Sequence, residues 1–199
     1  DQLKAKTCYS FDEMGRLSRI VYPSEVAALD GTGTFPCNSD KWSELDRTFE
    51  QVATAENGLS ANHWRELITT GDSRKYVYYD ALWRPVLTKT YDALDFNNTL
   101  SQTVTRYDSD GRSVFQSYPT RTAVSDFAAA ALDGTRTTYD VLGRPLRTEQ
   151  DAESIFTNSV VATVNAYETG FVTRTTNARG NATLTQFQTF DQPTTDAPV

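Results

Sequence analysis

Two six-residue stretches decide how this chain reads: Tyr107-Asp108-Ser109-Asp110-Gly111-Arg112 and Tyr139-Asp140-Val141-Leu142-Gly143-Arg144. Both are Y-D-x-x-G-R. Phe11-Asp12-Glu13-Met14-Gly15-Arg16 is the same unit with Phe for Tyr, and Tyr79-Asp80-Ala81-Leu82-Trp83-Arg84 is the same with Trp for Gly. Tyr91-Asp92-Ala93-Leu94 is a weaker copy, and Phe190-Asp191-Gln192-Pro193 resembles the opening of another. From Asp12 to Asp80 is 68 residues, from Asp80 to Asp108 is 28 and from Asp108 to Asp140 is 32. The two spacings near 30 fit one hairpin-sized unit with variable loops, and the long one implies an insertion or a degenerate unit.

The motif has a mechanical reading. The aromatic ends an incoming strand with its ring on a sheet face. Asp at the first turn position accepts backbone N–H groups. Gly then takes a position that needs a left-handed backbone, as in a type I turn followed by a bulge. Arg opens the return strand with its stem on apolar surface and its head available to a carboxylate. Pro85 and Pro145 follow two of the arginines, where a strand start makes the missing N–H cheapest. Trp83 departs from the pattern. Because a bulky residue at positive φ costs about 1 kcal/mol or more, the expectation there is a different turn, with the indole packed on a neighbouring unit.

Branched and aromatic residues around the corners, as in 113–118 and 135–139, favour strand. The expected fold class is mainly β: antiparallel hairpins with one helical insertion, over a single segment 1–199 with units starting near 9, 79, 107 and 139 and a partial unit near 190. The insertion spans about 38–68. Within it, Ser39 caps and Trp42, Leu45, Phe49 and Val52 share one helical face, so a helix is predicted from about Asp40 to Ala55, ending at Gly58. Its apolar stripe would dock on its own chain or, in the sharper reading, on a partner. The alanines in Ser125 to Leu132 predict a further turn of helix.

These copies, with Tyr118-Pro119 and Asn177-Ala178-Arg179-Gly180-Asn181, resemble the YD-repeat (RHS-repeat) family. That family includes bacterial RHS and wall-associated proteins, shell components of insecticidal toxin complexes, and teneurins. The resemblance runs from about Tyr9 to Pro193. It implies a spiralling β-sheet that closes into a hollow shell, which in bacterial members encloses a C-terminal toxin. Other members are read as carbohydrate-binding or adhesive surfaces. The implied partners are neighbouring repeats, an enclosed toxin domain and glycans, and the implied location is secreted or at a bacterial cell surface. The family's shell-terminating core with its aspartyl self-cleavage motif has no match here, so neither autoproteolysis nor a toxin carries over. The mid-repeat ends and the Thr/Asp/Pro run from Gln192 to Val199 fit a piece of a longer chain.

Charge and chemistry narrow the remaining classes. The net charge of −7 repels phosphate backbones and no Lys/Arg run offsets it, which argues against nucleic acid. No apolar run approaches the ~20 residues of a spanning helix. His63 is the sole histidine, with no nucleophile elbow beside it, and one His with two Cys far apart offers no usual zinc spacing. Gly31-Thr32-Gly33 lacks the Lys and length of a phosphate loop. A glycosidase needs two carboxylates ~5–10 Å apart in a cleft, whereas repeated corners set one Asp per hairpin along an edge. The chain therefore reads as non-enzymatic, without cofactor or metal. Cys8 and Cys37 are the only cysteines. In an oxidising compartment they close a loop of ~30 residues, stabilising by ~3–4 kcal/mol; in a reducing one they are two small apolar groups.

Overall fold

The computed structural model describes residues 5–24, 35–38, 41–152 and 160–187. The partial copy at Phe190–Pro193, the tail beyond it, and Ser39 and Asp40 lie outside the described residues. The fold is mainly β, as the composition and corners lead one to expect. Its strands are β1 (Cys8–Phe11), β2 (Leu17–Val21), β3 (Leu45–Val52), β4 (His63–Thr70), β5 (Ser73–Tyr79), β6 (Pro85–Asp92) and β7 (Ser101–Tyr107). They continue as β8 (Ser113–Ser117), β9 (Gly134–Tyr139), β10 (Pro145–Asp151), β11 (Val160–Glu168), β12 (Val172–Thr176) and β13 (Ala182–Gln186). Sheet order is chain order throughout. No helix among the described residues is long and apolar enough to cross a membrane.

The expected helix at 40–55 is overturned. Residues 45–52 form β3, which pairs with β4 along its whole length, from Leu45↔Thr70 to Val52↔His63. Leu45, Phe49 and Val52 recur at helical spacing, but Arg47, Phe49 and Gln51 also alternate with Asp46, Thr48 and Glu50 at strand spacing. Across the ladder Arg47 pairs with Glu66, and Arg65 reaches Glu50 at 2.5 Å. Cross-strand pairs of this kind settle a segment whose local pattern fits both periods. The segment after Ser125 forms one turn only, closed by the Ala130 N–H donating to Asp126 O at 3.0 Å. The sole helix among the described residues is α1 (Phe96–Thr99), a single turn after the weak copy at Asp92.

The chain divides into two compact units, Asp1–Thr103 with Pro119–Ala130, and Val104–Tyr118 with Ala131–Val199. The division falls within β7. In the first unit Leu59, Val77, Tyr78, Val86, Leu87, Leu100 and Val124 are buried. Each such aliphatic side chain contributes about 1.5–3 kcal/mol. Buried Gln102 ties the 119–130 segment down: its backbone exchanges hydrogen bonds with Thr120, and its amide donates to Thr122 O at 2.8 Å. In the second unit Val104 and Phe115 are buried, and Ser117 Oγ accepts the Val104 N–H at 2.8 Å.

Cys8 and Cys37 are joined by a disulfide, with Cα atoms 5.8 Å apart. It ties β1 to a short segment in which Pro23 bridges Cys37 and Ala5 bridges Phe35. With 29 residues separating the cysteines, the loop-entropy model gives ~3–4 kcal/mol of stabilisation. Reduction of the purified chain should therefore lower its urea midpoint, read by tryptophan fluorescence. An unchanged midpoint would show that the closed loop contributes nothing.

Candidate functional site

The four corners are nearly superimposable in their bonding. Each Asp uses Oδ1 to accept two backbone N–H groups. One comes from the residue two positions on, at 2.9 Å for Met14, 2.9 Å for Leu82, 3.0 Å for Asp110 and 2.9 Å for Leu142. The other comes from the corner arginine, at 2.8, 2.9, 2.8 and 2.8 Å for Arg16, Arg84, Arg112 and Arg144. Oδ2 accepts the same arginine's Nε at 2.7–2.8 Å. Gly15, Gly111 and Gly143 sit at φ of 76°, 83° and 81°. The ladder shifts register at each corner, so that Phe11, Tyr79, Tyr107 and Tyr139 face the residue after the arginine. This is the expected turn with a bulge.

Asn177-Ala178-Arg179-Gly180-Asn181 builds the same turn without charge. Asn177 Oδ1 accepts the Arg179 and Asn181 N–H groups, both at 3.0 Å, and Gly180 takes φ 80°. The turn therefore needs the side-chain oxygen, while the carboxylate adds the arginine pair.

All four corner carboxyls lie below the usual carboxylate range. In Asp12 the leading cause is the Arg16 backbone N–H, followed by its side chain. In Asp80, Asp108 and Asp140 partial burial pushes the carboxyl up, but hydrogen bonds from the partner arginine, backbone and side chain, outweigh it. These groups are held ionised and saturated with donors, opposite to the raised pKa of a general acid.

The arginines also reach beyond their own corner. Arg16 lies over the Phe49 ring at 4.5 Å, Arg112 over Tyr139 at 5.1 Å and Arg144 over Tyr167 at 3.9 Å. In each case the ring belongs to the strand that follows the arginine's own. The two tyrosines close the contact from their side: Tyr139 Oη donates to Ser113 O at 2.9 Å and Tyr167 Oη to Pro145 O at 3.1 Å. Both acceptors are the residue after the arginine. Arg112 further donates to the Asp140 carbonyl at 3.2 Å, so one corner holds the next within the second unit. Tyr167 does not stand out in the sequence as a corner because Glu168 replaces Asp and Gly170 sits one place early. Its spacing of 28 residues from Tyr139 was the available signal.

Trp83 overturns the expectation of a different turn. At φ 62° it occupies the same left-handed position as the glycines, its N–H donating to Asp80 O at 3.0 Å. Five hydrogen bonds around Asp80 and Arg84 fix this corner and hold Trp83 in a conformation that costs ~1–2 kcal/mol. The indole does pack on neighbouring strands, stacking on Trp64 at 5.4 Å and tilting against Phe49 at 6.2 Å and Tyr79 at 6.1 Å. Beneath it, Tyr79 Oη donates to buried Glu66 at 3.2 Å. Burial first, and then the Glu66 charge, push the Tyr79 hydroxyl up to about 12.

A cleft of about 370 Å³ opens beside this cluster in the first unit. Its walls are the 58–64 turn, Tyr79, Asp80, Trp83 and Phe127. Phe127 is brought there by its own N–H, which donates to Asn57 O at 2.9 Å. His63 is among the lining residues, its side chain nearly buried, with Nδ1 2.8 Å from Ser60 O. Among the described residues no group of three or more His, Cys, Asp or Glu side chains is placed to hold a metal ion. No protein-family model matches the chain, and no curated protein matches it.

Acid should unfold this structure through its corners. A carboxyl whose folded pKa is lowered stabilises fully above its unfolded value and loses that contribution as pH falls through the folded value. Thermal melts should thus be flat from pH 7 to 5 and drop steeply below the ordinary Asp value of 3.8. Asp140→Asn, which imitates the Asn177 corner, should lower Tm less than Asp140→Ala and flatten the acid limb. Identical limbs for wild type and Asp140→Asn would remove the corner carboxylates as its cause.

Proposed function

We infer that this chain is a scaffold segment, part of the wall of a YD-repeat shell that encloses or presents a C-terminal toxin or effector at or beyond a bacterial cell surface. The observation that carries the reading is the corner arginine, which binds its own aspartate and, as Arg16, Arg112 and Arg144 show, stacks on the following strand's aromatic. A unit joined to its neighbours in this way can be added repeatedly without a new kind of contact, the logic of a quasi-one-dimensional repeat protein. The saturated corner carboxylates fit a structural role, since each is engaged by its own turn. The reading also accounts for the variable loops, which enter between corners without disturbing them.

Intact mass and peptide mapping of the native polypeptide test this directly. A wall segment requires a parent chain several times longer, with further Y-D-x-x-G-R corners flanking these residues. In that parent particle, the region C-terminal to the wall should resist protease at neutral pH and become cleavable after acid opens the corners. A native chain ending near Val199, or a C-terminal region digested equally at both pH values, would sink the scaffold reading.

A further inference from the structure

Lys89 on β6 meets the side chain of Asn57, in the connection between β3 and β4, with Nζ donating to Oδ1 at 2.5 Å across 32 residues of sequence. Both partners are held in place. Glu56 and Leu59 exchange backbone hydrogen bonds at 2.8 and 3.2 Å, closing a tight turn in which Asn57 takes φ 56°. The Asn57 carbonyl accepts the Phe127 N–H at 2.9 Å. Lys89 sits in the β5–β6 ladder opposite Tyr76, its ammonium 5.4 Å from the centre of the Tyr78 ring. Glu56, the chain neighbour of Asn57, accepts Arg65 Nη1 at 2.9 Å and lies 3.4 Å from His63 Nε2. Asn57 Nδ2 is buried without a hydrogen-bond partner. A flipped amide would not relieve it, since Nδ2 would then face the ammonium and both groups are donors. Burial also pushes the Lys89 ammonium below its ordinary value, with the Glu56 charge opposing that shift and the Arg65 charge adding to it. The contact therefore leaves two groups buried at a cost, an orphaned amide nitrogen and a partly desolvated cation.

We propose that Lys89 and Asn57 react with each other to form an intramolecular amide cross-link, with Glu56 as the proton carrier. Nζ gives one proton to Glu56 and attacks Asn57 Cγ. That carbon lies one C=O bond of ~1.2 Å beyond the contacted oxygen, close to the ~3–3.5 Å of a reacting pair. The Nζ–Cγ bond forms and the Cγ–Nδ2 bond breaks. Nδ2 takes the second Nζ proton and departs as ammonia, which carries off the proton held by Glu56 as ammonium. One hydrogen stays on Nζ as the amide N–H, so atoms and charge balance with no oxidant or further reactant. The reaction removes both buried costs together: the orphaned nitrogen is expelled, and the ammonium becomes a neutral amide. The bond ties the β3–β4 connection to β6 across the two strands between them. The proposal is independent of the scaffold reading, since a free-standing chain and a wall segment would hold the same pair.

The test is mass spectrometry of the whole folded chain, intact and after trypsin digestion. The expected intact mass is one ammonia below that of the disulfide-bonded sequence. The digest should contain a branched peptide that joins Asn57 to Lys89, with no cleavage after Lys89. Lys89→Met removes the amine, and Asn57→Gly removes the amide while tolerating the left-handed backbone. Each should restore the full mass and lower the urea midpoint, because a closed loop is lost. Glu56→Gln should restore the full mass with both reacting groups still present, whereas Lys75→Met should keep the ammonia loss. A succinimide between Asn57 and Gly58 loses the same ammonia, but it yields only linear peptides and survives Lys89→Met. Full mass in the folded wild type, ammonia loss with linear peptides alone, or a loss that persists in Lys89→Met or Glu56→Gln would each overturn the proposal.

Discussion

A guanidinium held between its own aspartate and the aromatic ring of the next strand is the contact on which the rest of this structure depends. The aspartate alone makes a good turn, as Asn177 demonstrates with an uncharged oxygen. What the arginine adds is reach. Planar and permanently charged, it donates Nε to the carboxylate and lays its face on Phe49, Tyr139 or Tyr167. The ring is fixed in turn where its hydroxyl returns a hydrogen bond to the residue beyond the arginine. A local turn motif thereby becomes a contact between successive strands.

The same contact explains which parts of the fold were legible in the sequence. Everything the corner needs lies within six consecutive residues, so turn, bulge and strand starts could be read without knowledge of the tertiary structure. Residues 45–52 could not, because Leu45, Phe49 and Val52 share a helical face while Leu45, Arg47, Phe49 and Gln51 fall at strand spacing, and the deciding partners, His63 to Thr70, lie across a separate loop. The backbone at Trp83 is hidden for a related reason. Its own steric preference points away from the left-handed region, whereas the combined hydrogen bonds of Asp80 and Arg84 exceed it. Tyr167 was hidden by a change of residue type, although its contacts match those of Tyr139. In the cleft, Trp83 was legible as an anomaly; Trp64 and Phe127 were not, since they arrive from other strands and loops.

Charge sets the pH range over which the corners hold. The corners need ionised aspartates, and their lowered pKa values keep them ionised across neutral and mildly acidic solution. Departures from the repeat are confined to places where the corner can absorb them. A loop enters between β8 and β9 and folds back through Gln102, and a tryptophan replaces one glycine without altering the turn. Such tolerance lets a structural repeat acquire a local surface feature.

The most direct measurement is a double-mutant cycle between Arg144 and Tyr167, the closest of the stacked pairs at 3.9 Å. Arg144→Lys keeps the charge and removes the planar face, and Tyr167→Leu keeps apolar bulk and removes the ring. Urea unfolding of wild type, both single variants and the double variant gives the coupling. A favourable coupling of about 0.5–1 kcal/mol is expected, the range for a cation over an aromatic face near the surface. Additive effects would mean that each corner stands alone, contradicting the arginine as the link between successive strands.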